Sequence, residues 1–233
     1  MENIKENYQR VIDNVINACD SSGRSKEEVQ VITVSKKRSF EVIEAALKCG
    51  INNFGENYPE EALDKIIKLG NSDVMWHMIG HIQSRKTKYV SQYFNMIHSI
   101  DRLKVCERIN NELIDTDKVM PILLEINVSG EYSKHGWSVT KISEVDNIRP
   151  DIEKILTLKN IRIEGLMTMP PLSIAEDSRI HFSNLRKIQE YLSKIYGNEY
   201  FHELSMGTSH DYEVAINEGA TYVRIGEAIL GKR

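Results

Sequence analysis

Residues 31–57, VITVSKKRSFEVIEAALKCGINNFGEN, hold the pattern that decides the fold. An apolar run predicts a strand over 29–35, residues 40–48 predict an amphipathic helix, and residues 51–54 predict the next strand. Two strands joined by a helix form a right-handed unit in which the strands run parallel. The segment is therefore typical of a β-α-β unit.

The same alternation continues to the end of the chain. Strands are predicted at 29–35, 51–54, 75–79, 96–100, 122–128, 161–167, 202–205 and 222–225. Helices are predicted at 40–48, 60–69, 102–113, 139–156, 179–194 and 212–217, after a first helix that begins near Ile4. Eight strands favour an α/β fold, a single (β/α)8 TIM-type barrel with an N-terminal helix, over an open doubly wound sheet. Because the chain has no Ser/Gly/Pro-rich linker, residues 1–233 are predicted to form one domain.

The composition restricts the partners and the compartment. The net charge of -4 gives no bulk attraction to nucleic acid or to an anionic membrane, so neither is predicted as a partner. Cys19, Cys49 and Cys106 form no CxxC and fit neither a disulfide framework nor a thiolate zinc site. The N-terminal residues lack the apolar segment of a signal peptide, and no apolar run approaches the roughly 20 residues that cross a bilayer. We expect a cytoplasmic protein.

Lys36 is the first candidate for chemistry, since functional groups of this fold follow the carboxyl ends of the strands. Because the lysine directly follows the first apolar run, we expect its amine to project into the barrel mouth. A partly desolvated lysine loses its proton more easily, and a Schiff-base amine requires that. Lys37 and Arg38 follow, so a solvated lysine in a basic loop is the alternative, and it is the commoner case for a lysine taken alone.

A candidate phosphate site lies at the seventh and eighth predicted strands. Ser205-Met206-Gly207-Thr208-Ser209 and Arg224-Ile225-Gly226 each place glycine just before a predicted helix, and the first segment adds hydroxyl groups. Backbone N–H groups at helix N-termini bind phosphate, and glycine allows a close approach. The loops after strands seven and eight are the usual phosphate site in this fold. Together the two segments favour a phosphorylated ligand.

Metal and nucleic-acid sites are not predicted. His77 and His81 are four residues apart but straddle a predicted strand end, where that spacing does not converge, and a third ligand is not apparent. The basic run Arg85-Lys86-Thr87-Lys88 is typical of a solvated helix face.

Segments along nearly the whole chain resemble one family in the same order. The segments are Val34-Ser35-Lys36, Phe54-Gly55-Glu56-Asn57-Tyr58, Trp76-His77-Met78-Ile79-Gly80, Ile82-Gln83-Ser84, His98-Ser99-Ile100-Asp101, Gly165-Leu166-Met167, Ser205-Met206-Gly207 with Ser209, and Val223-Arg224-Ile225-Gly226. In these segments the chain is similar to the pyridoxal 5′-phosphate (PLP) homeostasis proteins, the YggS/PROSC-like family, which is related to the barrel domain of alanine racemase.

The resemblance implies a set of cofactor contacts. Lys36 would hold PLP as a Schiff base, and Arg224 would face the pyridine nitrogen. A cation there disfavours the pyridinium form and weakens the ring as an electron sink. The phosphate would be held by Ser205, Gly207, Ser209 and Gly226, and the pocket would be lined by Asn57, His77 and Met167.

The chain departs from the family pattern at three positions. Thr208 stands where methionine is common, Arg85 replaces a common asparagine, and Glu227 replaces a small hydroxyl residue. A carboxylate beside a phosphate is repulsive, so we expect Glu227 to point away and to leave phosphate binding to backbone groups.

Two functional classes follow from the resemblance. The first is a non-catalytic PLP carrier in cofactor homeostasis, delivery and amino-acid balance, with PLP and apo PLP-dependent enzymes as partners. The second is a PLP-dependent amino-acid racemase, which needs proton-transfer groups on both faces of the substrate, here Lys36 with Tyr58 or His77. Related racemases carry an extra C-terminal domain, for which the chain after the eighth strand leaves no room, so we favour the carrier and expect a monomer. A barrel that only binds other proteins would have no reason to keep both the lysine and the phosphate loop.

Overall fold

The strands of the computed structural model, which describes residues 3–70, 73–171 and 175–232, form a closed parallel barrel. The barrel order is β4-β3-β2-β1-β9-β8-β7-β5, and pairing of β4 with β5 closes it. The short β6 pairs with β5 outside the ring. The strands are β1 (Gln30–Val34), β2 (Asn53–Glu56), β3 (Met75–Met78), β4 (Met96–Ile100), β5 (Met120–Asn127), β6 (Trp137–Ser138), β7 (Ile161–Met167), β8 (Glu203–Thr208) and β9 (Tyr222–Ile225).

Helices surround the barrel and follow its strands in the chain. They are α1 (Ile4–Ser21), α2 (Phe40–Leu47), α3 (Pro59–Leu69), α4 (Thr87–Tyr93), α5 (Leu103–Glu112), α6 (Arg149–Leu156), α7 (Arg179–Tyr196), α8 (Tyr212–Asn217) and α9 (Glu227–Leu230). The predicted TIM-type barrel with an N-terminal helix is confirmed. Within the described residues, none of these helices is long and apolar enough to cross a membrane.

The largest departure from the predicted elements lies at 139–156, where one long helix is expected. The structure has instead a 3-10 helix over Ile142–Asn147 and then α6, and the unpredicted β6 comes directly before this range. Pro150 explains the break, because it stands in the first turn of α6, where its missing N–H removes no helical hydrogen bond. In the interior of a longer helix the same proline would clash with the preceding turn.

The N-terminal helix is fixed at its start and along one face. Asn3 caps α1 by accepting a hydrogen bond from the backbone N–H of Glu6 at 3.4 Å. Val11, Val15 and Cys19 recur on one side of the helix and are buried. This face joins the outer core between helices and strands.

The interior of the barrel is partly apolar and partly polar. Ile32, Met96, Leu123, Met167 and Tyr222 form its apolar cluster. Buried polar side chains of β3, β4, β8 and β9 share the interior. A barrel filled by side chains is a packed core, which leaves its carboxyl-terminal mouth as the place for a ligand.

Candidate cofactor-binding site

A cavity of about 190 Å³ lies at the carboxyl ends of β1, β2, β8 and β9. Five of the residues predicted for the cofactor line it: Lys36, Asn57, Ser209, Arg224 and Gly226. The other lining residues are Val34, Ile79, Met169, Thr208, His210 and Glu227. The predicted amine, guanidinium and hydroxyl groups therefore meet in one place, although they come from opposite ends of the chain.

The residue before Lys36 is anchored by the buried carboxyl group of Glu56. The Ser35 hydroxyl donates to Oε1 of Glu56 at 2.7 Å, and both residues are fully buried. Lys37, which follows, has φ +58, a left-handed conformation that a side chain other than glycine adopts at a cost of about 1 kcal/mol. The surrounding contacts must therefore hold this bend on both sides of Lys36.

Lys65 of α3 supplies those contacts. Its ammonium donates to Oε1 of Glu56 at 2.7 Å, to the carbonyl of Ser35 at 2.9 Å and to Oε1 of Glu61 at 2.7 Å. Glu61 in turn accepts from the backbone N–H of Lys37 at 2.5 Å. Burial raises the pKa of Glu56, and the Lys65 charge opposes that shift. Sequence reasoning missed this network, because a lysine and two glutamates near an amphipathic helix are typical of a solvated face.

Arg224 is buried at the inner wall of the cavity, with 3% of its surface exposed. Its guanidinium donates to the Ser205 hydroxyl at 2.5 Å, and to the Thr168 carbonyl and the Met169 sulfur at 2.9 Å each. Burial lowers the pKa of Arg224 to about 10, while the carboxylate of Glu125 opposes the shift. The side chain therefore stays cationic at neutral pH in one fixed position.

A chain of hydrogen bonds continues from Arg224 through the barrel interior. Ser205 lies 2.8 Å from Nδ1 of His98, whose Nε2 lies 3.0 Å from Nδ1 of His77. Nε2 of His77 lies 3.2 Å from Oδ1 of Asn53. Oδ1 of Asn53 can only accept a hydrogen bond, so Nε2 of His77 must donate to it. With both imidazoles neutral, Nε2 of His98 then donates to His77, and the Ser205 hydroxyl donates to His98. Burial lowers the pKa of His77 to about 4 and that of His98 well below its usual range, which keeps both rings neutral.

The loops predicted to hold phosphate lie on one side of the cavity. The backbone N–H of Gly226 donates to the Ser209 hydroxyl at 3.3 Å, so the two residues adjoin. Gly207 has φ +89, and a Cβ there would lie 2.6 Å from the Ala215 Cβ, so β8 passes close to α8. The backbone N–H of Thr208 donates to Oδ1 of Asp211 at 2.7 Å. These contacts fix the loop that carries Ser209.

Four predicted residues do not line the cavity. His77 and Met167 are buried in the barrel interior, and His77 also borders a separate cavity at the opposite end of the barrel. Ser205 turns inward to Arg224 and His98, and Gly207 lies within β8. Glu227 is an exposed residue that also lines the cavity, and our expectation that its carboxylate points away stays a prediction. All the residue roles in cofactor binding stay predictions.

Glu125 was not singled out from the sequence, yet it is buried near Arg224. Burial raises its pKa to about 7, with the charge of Asp101 adding to the shift and Arg224 and Lys134 opposing it. The unfolded chain ionises this carboxyl at its ordinary pKa of about 4.3. Protonated Glu125 therefore contributes fully to the free energy of unfolding below about pH 4.3. This contribution is lost as the pH rises through about 7.

We expect Glu125→Gln to gain stability relative to the wild type as the pH rises. From pH 4 to pH 8, the difference in the free energy of unfolding should shift by about 3 kcal/mol in favour of the variant. Urea unfolding at a series of pH values measures this difference. The control is Glu44→Gln, on an exposed position of α2. A difference for Glu125→Gln that stays constant with pH would contradict the assignment.

The fold and the cavity define a class of protein, the barrels related to the N-terminal domain of alanine racemase. The chain matches the family described as alanine racemase, N-terminal domain, over residues 4–233. Alanine racemase of Clostridium difficile superposes with a TM-score of 0.71 at 14% identity, covering 98% of this chain and 55% of that chain. At this identity the likeness concerns the fold alone.

Relatives of similar length place the chain more narrowly. It is 38% identical over 232 residues to the pyridoxal phosphate homeostasis protein of Aquifex aeolicus, covering 99% of each chain. It is 33% identical to that of Escherichia coli K12, covering 100% of this chain and 98% of the other. The chain therefore belongs to the family of pyridoxal phosphate homeostasis proteins, and the resemblance drawn from its sequence is confirmed.

A solved relative shows what this family's barrel can hold. PipY of Synechococcus elongatus with PLP bound superposes with a TM-score of 0.80 at 28% identity, covering 93% of this chain and 100% of that chain. The chemical groups that line the cavity of this protein are of the types that bind PLP. An amine matches its aldehyde, a hydroxyl and a glycine-rich loop match its phosphate, and a fixed cation matches its ring nitrogen.

Proposed function

We propose that this protein binds PLP as a Schiff base on Lys36, keeps it available in the cytoplasm and delivers it to apo PLP-dependent enzymes. In this way it would influence amino-acid balance without catalytic turnover. The observation that carries the proposal is that Lys36, Ser209 and Arg224 line one cavity at the barrel mouth. The PLP-bound relative with the same barrel supports the choice of ligand.

The position of each charged group favours binding over turnover. Arg224 is cationic and fixed by Ser205 and the Thr168 carbonyl. A fixed cation facing the ring nitrogen would disfavour its protonation, so bound PLP would be a weak electron sink. When bound, PLP supplies an aldehyde for imine chemistry. The protein supplies the amine, holds the phosphate and keeps the ring nitrogen unprotonated.

A racemase needs a second proton-transfer group opposite Lys36. Tyr58 and His77, the two residues considered for that role, do not line the cavity: Tyr58 is 49% exposed outside it, and His77 is buried in the barrel interior. His210 does line the cavity, and it is exposed at the mouth. His210 is therefore the residue on which the racemase alternative now depends.

Transfer of PLP to an apo-enzyme tests the proposed function. Protein loaded with PLP and freed of excess cofactor should restore the activity of an apo-aminotransferase. The initial rate should rise with the apo-enzyme concentration, because delivery requires an encounter. A rate independent of that concentration would show release into solution instead and would overturn delivery.

The same preparation tests the racemase alternative. Incubation with L-alanine should give no D-alanine above the level seen with free PLP. D-alanine formation that is lost in both Lys36→Ala and His210→Ala would contradict the carrier proposal and establish a racemase.

A further inference from the structure

Three metal-ligating side chains converge outside the cofactor cavity. His81 follows β3, Asp101 follows β4, and His135 precedes β6. Nδ1 of His81 lies 2.8 Å from Oδ2 of Asp101, and Nδ1 of His135 lies 3.9 Å from the same oxygen. The two imidazole rings stack with centroids 4.1 Å apart and 20° between their planes. One ligand atom from each of the three residues lies within 4.8 Å of the others.

We propose that His81, Asp101 and His135 bind a divalent transition-metal ion of the zinc type. Two imidazoles and one carboxylate are the donors that zinc accepts in three-ligand sites, which keep a further coordination position open. Zinc binds such atoms at about 2.1 Å, so tetrahedral ligands lie roughly 3.5 Å apart. The distances from Oδ2 of Asp101 lie on both sides of that value. The two exposed rings would have to turn out of their stacked arrangement so that one nitrogen of each faces the ion.

Arg102 holds the carboxylate in place. Its guanidinium donates to Oδ1 of Asp101 at 2.5 Å, to the Ile82 carbonyl at 2.9 Å and to the Ser84 hydroxyl at 3.4 Å. It therefore ties the end of β4 to the loop that carries His81, and Oδ2 of Asp101 faces the imidazoles. Hydrogen bonds of this kind orient metal ligands. The Arg102 charge also opposes a bound cation, so we expect weaker binding than that of a closed structural zinc site.

The backbone that carries His135, the third ligand, is fixed by close packing. Gly136, the next residue after His135, has φ +97, and a Cβ there would lie 2.3 Å from the Glu125 carbonyl oxygen. The loop therefore packs directly on β5 before it continues into β6. Although the His135 side chain is 56% exposed, its starting point is fixed over Asp101.

Two histidines outside this group use their ring nitrogens differently. His77, which is four residues before His81, points into the barrel, where Asn53 and His98 occupy both ring nitrogens. His202 is exposed and lies 3.1 Å from Oε2 of Glu164, but it belongs to none of the three-residue groups with metal-ligand geometry in the described part of the chain. Glu203 carries a second carboxylate, 3.8 Å from Nε2 of His202, so His202 is a control that has carboxylates beside an exposed imidazole but no second imidazole.

Titration of the untagged protein with Zn²⁺ by calorimetry, without added PLP, tests the site. We expect one ion per chain, and Co²⁺ should give visible d–d absorption bands at the same stoichiometry. His135→Ala and Asp101→Asn should weaken Zn²⁺ binding at least about tenfold, while His202→Ala leaves it unchanged. Because the His135 side chain is exposed, its variant should fold, and circular dichroism checks this. Wild-type binding no tighter than that of His135→Ala, or an equal loss in His202→Ala, would overturn the proposal.

Discussion

Lys36→Ala should abolish covalent attachment of PLP to this protein. If Lys36 supplies the Schiff-base amine, the variant has no amine at that position and cannot form the imine that borohydride reduces to a stable bond. Wild-type protein incubated with PLP and then with borohydride should gain the mass of one reduced PLP group, and Lys36→Ala should gain none. Intact-protein mass spectrometry measures the gain, and the visible absorption band of the complex should disappear in parallel.

Lys37→Ala is the matched control for this experiment. Lys37 is the next residue and is more exposed than Lys36, so its loss removes one amine that is at least as accessible from the same loop. The control should take up PLP like the wild type. Equal labelling of Lys36→Ala and wild type would refute the assignment of Lys36, whereas loss of labelling in both variants would show that the loop conformation, rather than one amine, decides attachment.

The barrel could be predicted from the sequence because its signal is local and repeated. Each apolar run followed by an amphipathic stretch indicates one strand and one helix, and an error at 139–156 does not change the number of strands in the barrel. That error arose because Pro150 fits the first turn of a helix as readily as it breaks a longer one. The ends of the predicted strands also indicated Lys36 and the two glycine-containing loops as candidates, and the resemblance then assigned them contacts with PLP.

The sequence could not show which groups from distant parts of the chain contact the predicted site residues. Lys65 and Glu56 are far more buried than such residues usually are, and only the packing of α3 against β2 brings them together. Ser205 belongs to the predicted phosphate segment, yet its position on β8 turns its hydroxyl into the barrel towards Arg224. Asp101 and His135 come from different loops, so no spacing in the chain reveals that they meet His81.

Lys65→Met should destabilise the protein by about 3–5 kcal/mol at neutral pH, since it leaves the charge of Glu56 buried without its partner. Lys65 is 5% exposed and Glu56 is fully buried, so water cannot replace the lost ammonium without opening the fold. The free energy of unfolding in urea measures the effect. Lys68→Met is the matched control, because it makes the same substitution at an exposed position of the same helix, and it should change stability by less than about 1 kcal/mol.

The pH and a second substitution separate the loss of charge pairing from the loss of packing. Burial already raises the pKa of Glu56, so without Lys65 the carboxyl should take up a proton more readily. The destabilisation by Lys65→Met should therefore shrink as the pH falls towards 5, and Glu56→Gln in the same chain should recover part of it at neutral pH. A loss that is independent of pH and unaffected by Glu56→Gln would mean that the methylene groups of Lys65, rather than its charge, hold the site together.

The same variant links the network to ligand binding. Lys65 donates to the Ser35 carbonyl, and Glu61 accepts from the Lys37 N–H, so the network holds the backbone on both sides of Lys36. Without the network, no hydrogen bond from Lys65 or Glu61 fixes the left-handed conformation of Lys37. The Lys36 amine must then become ordered when PLP binds. We therefore expect Lys65→Met to retain labelling at Lys36 but to release PLP faster than the wild type. Unchanged release in a folded variant would show that Lys36 is positioned by β1 alone.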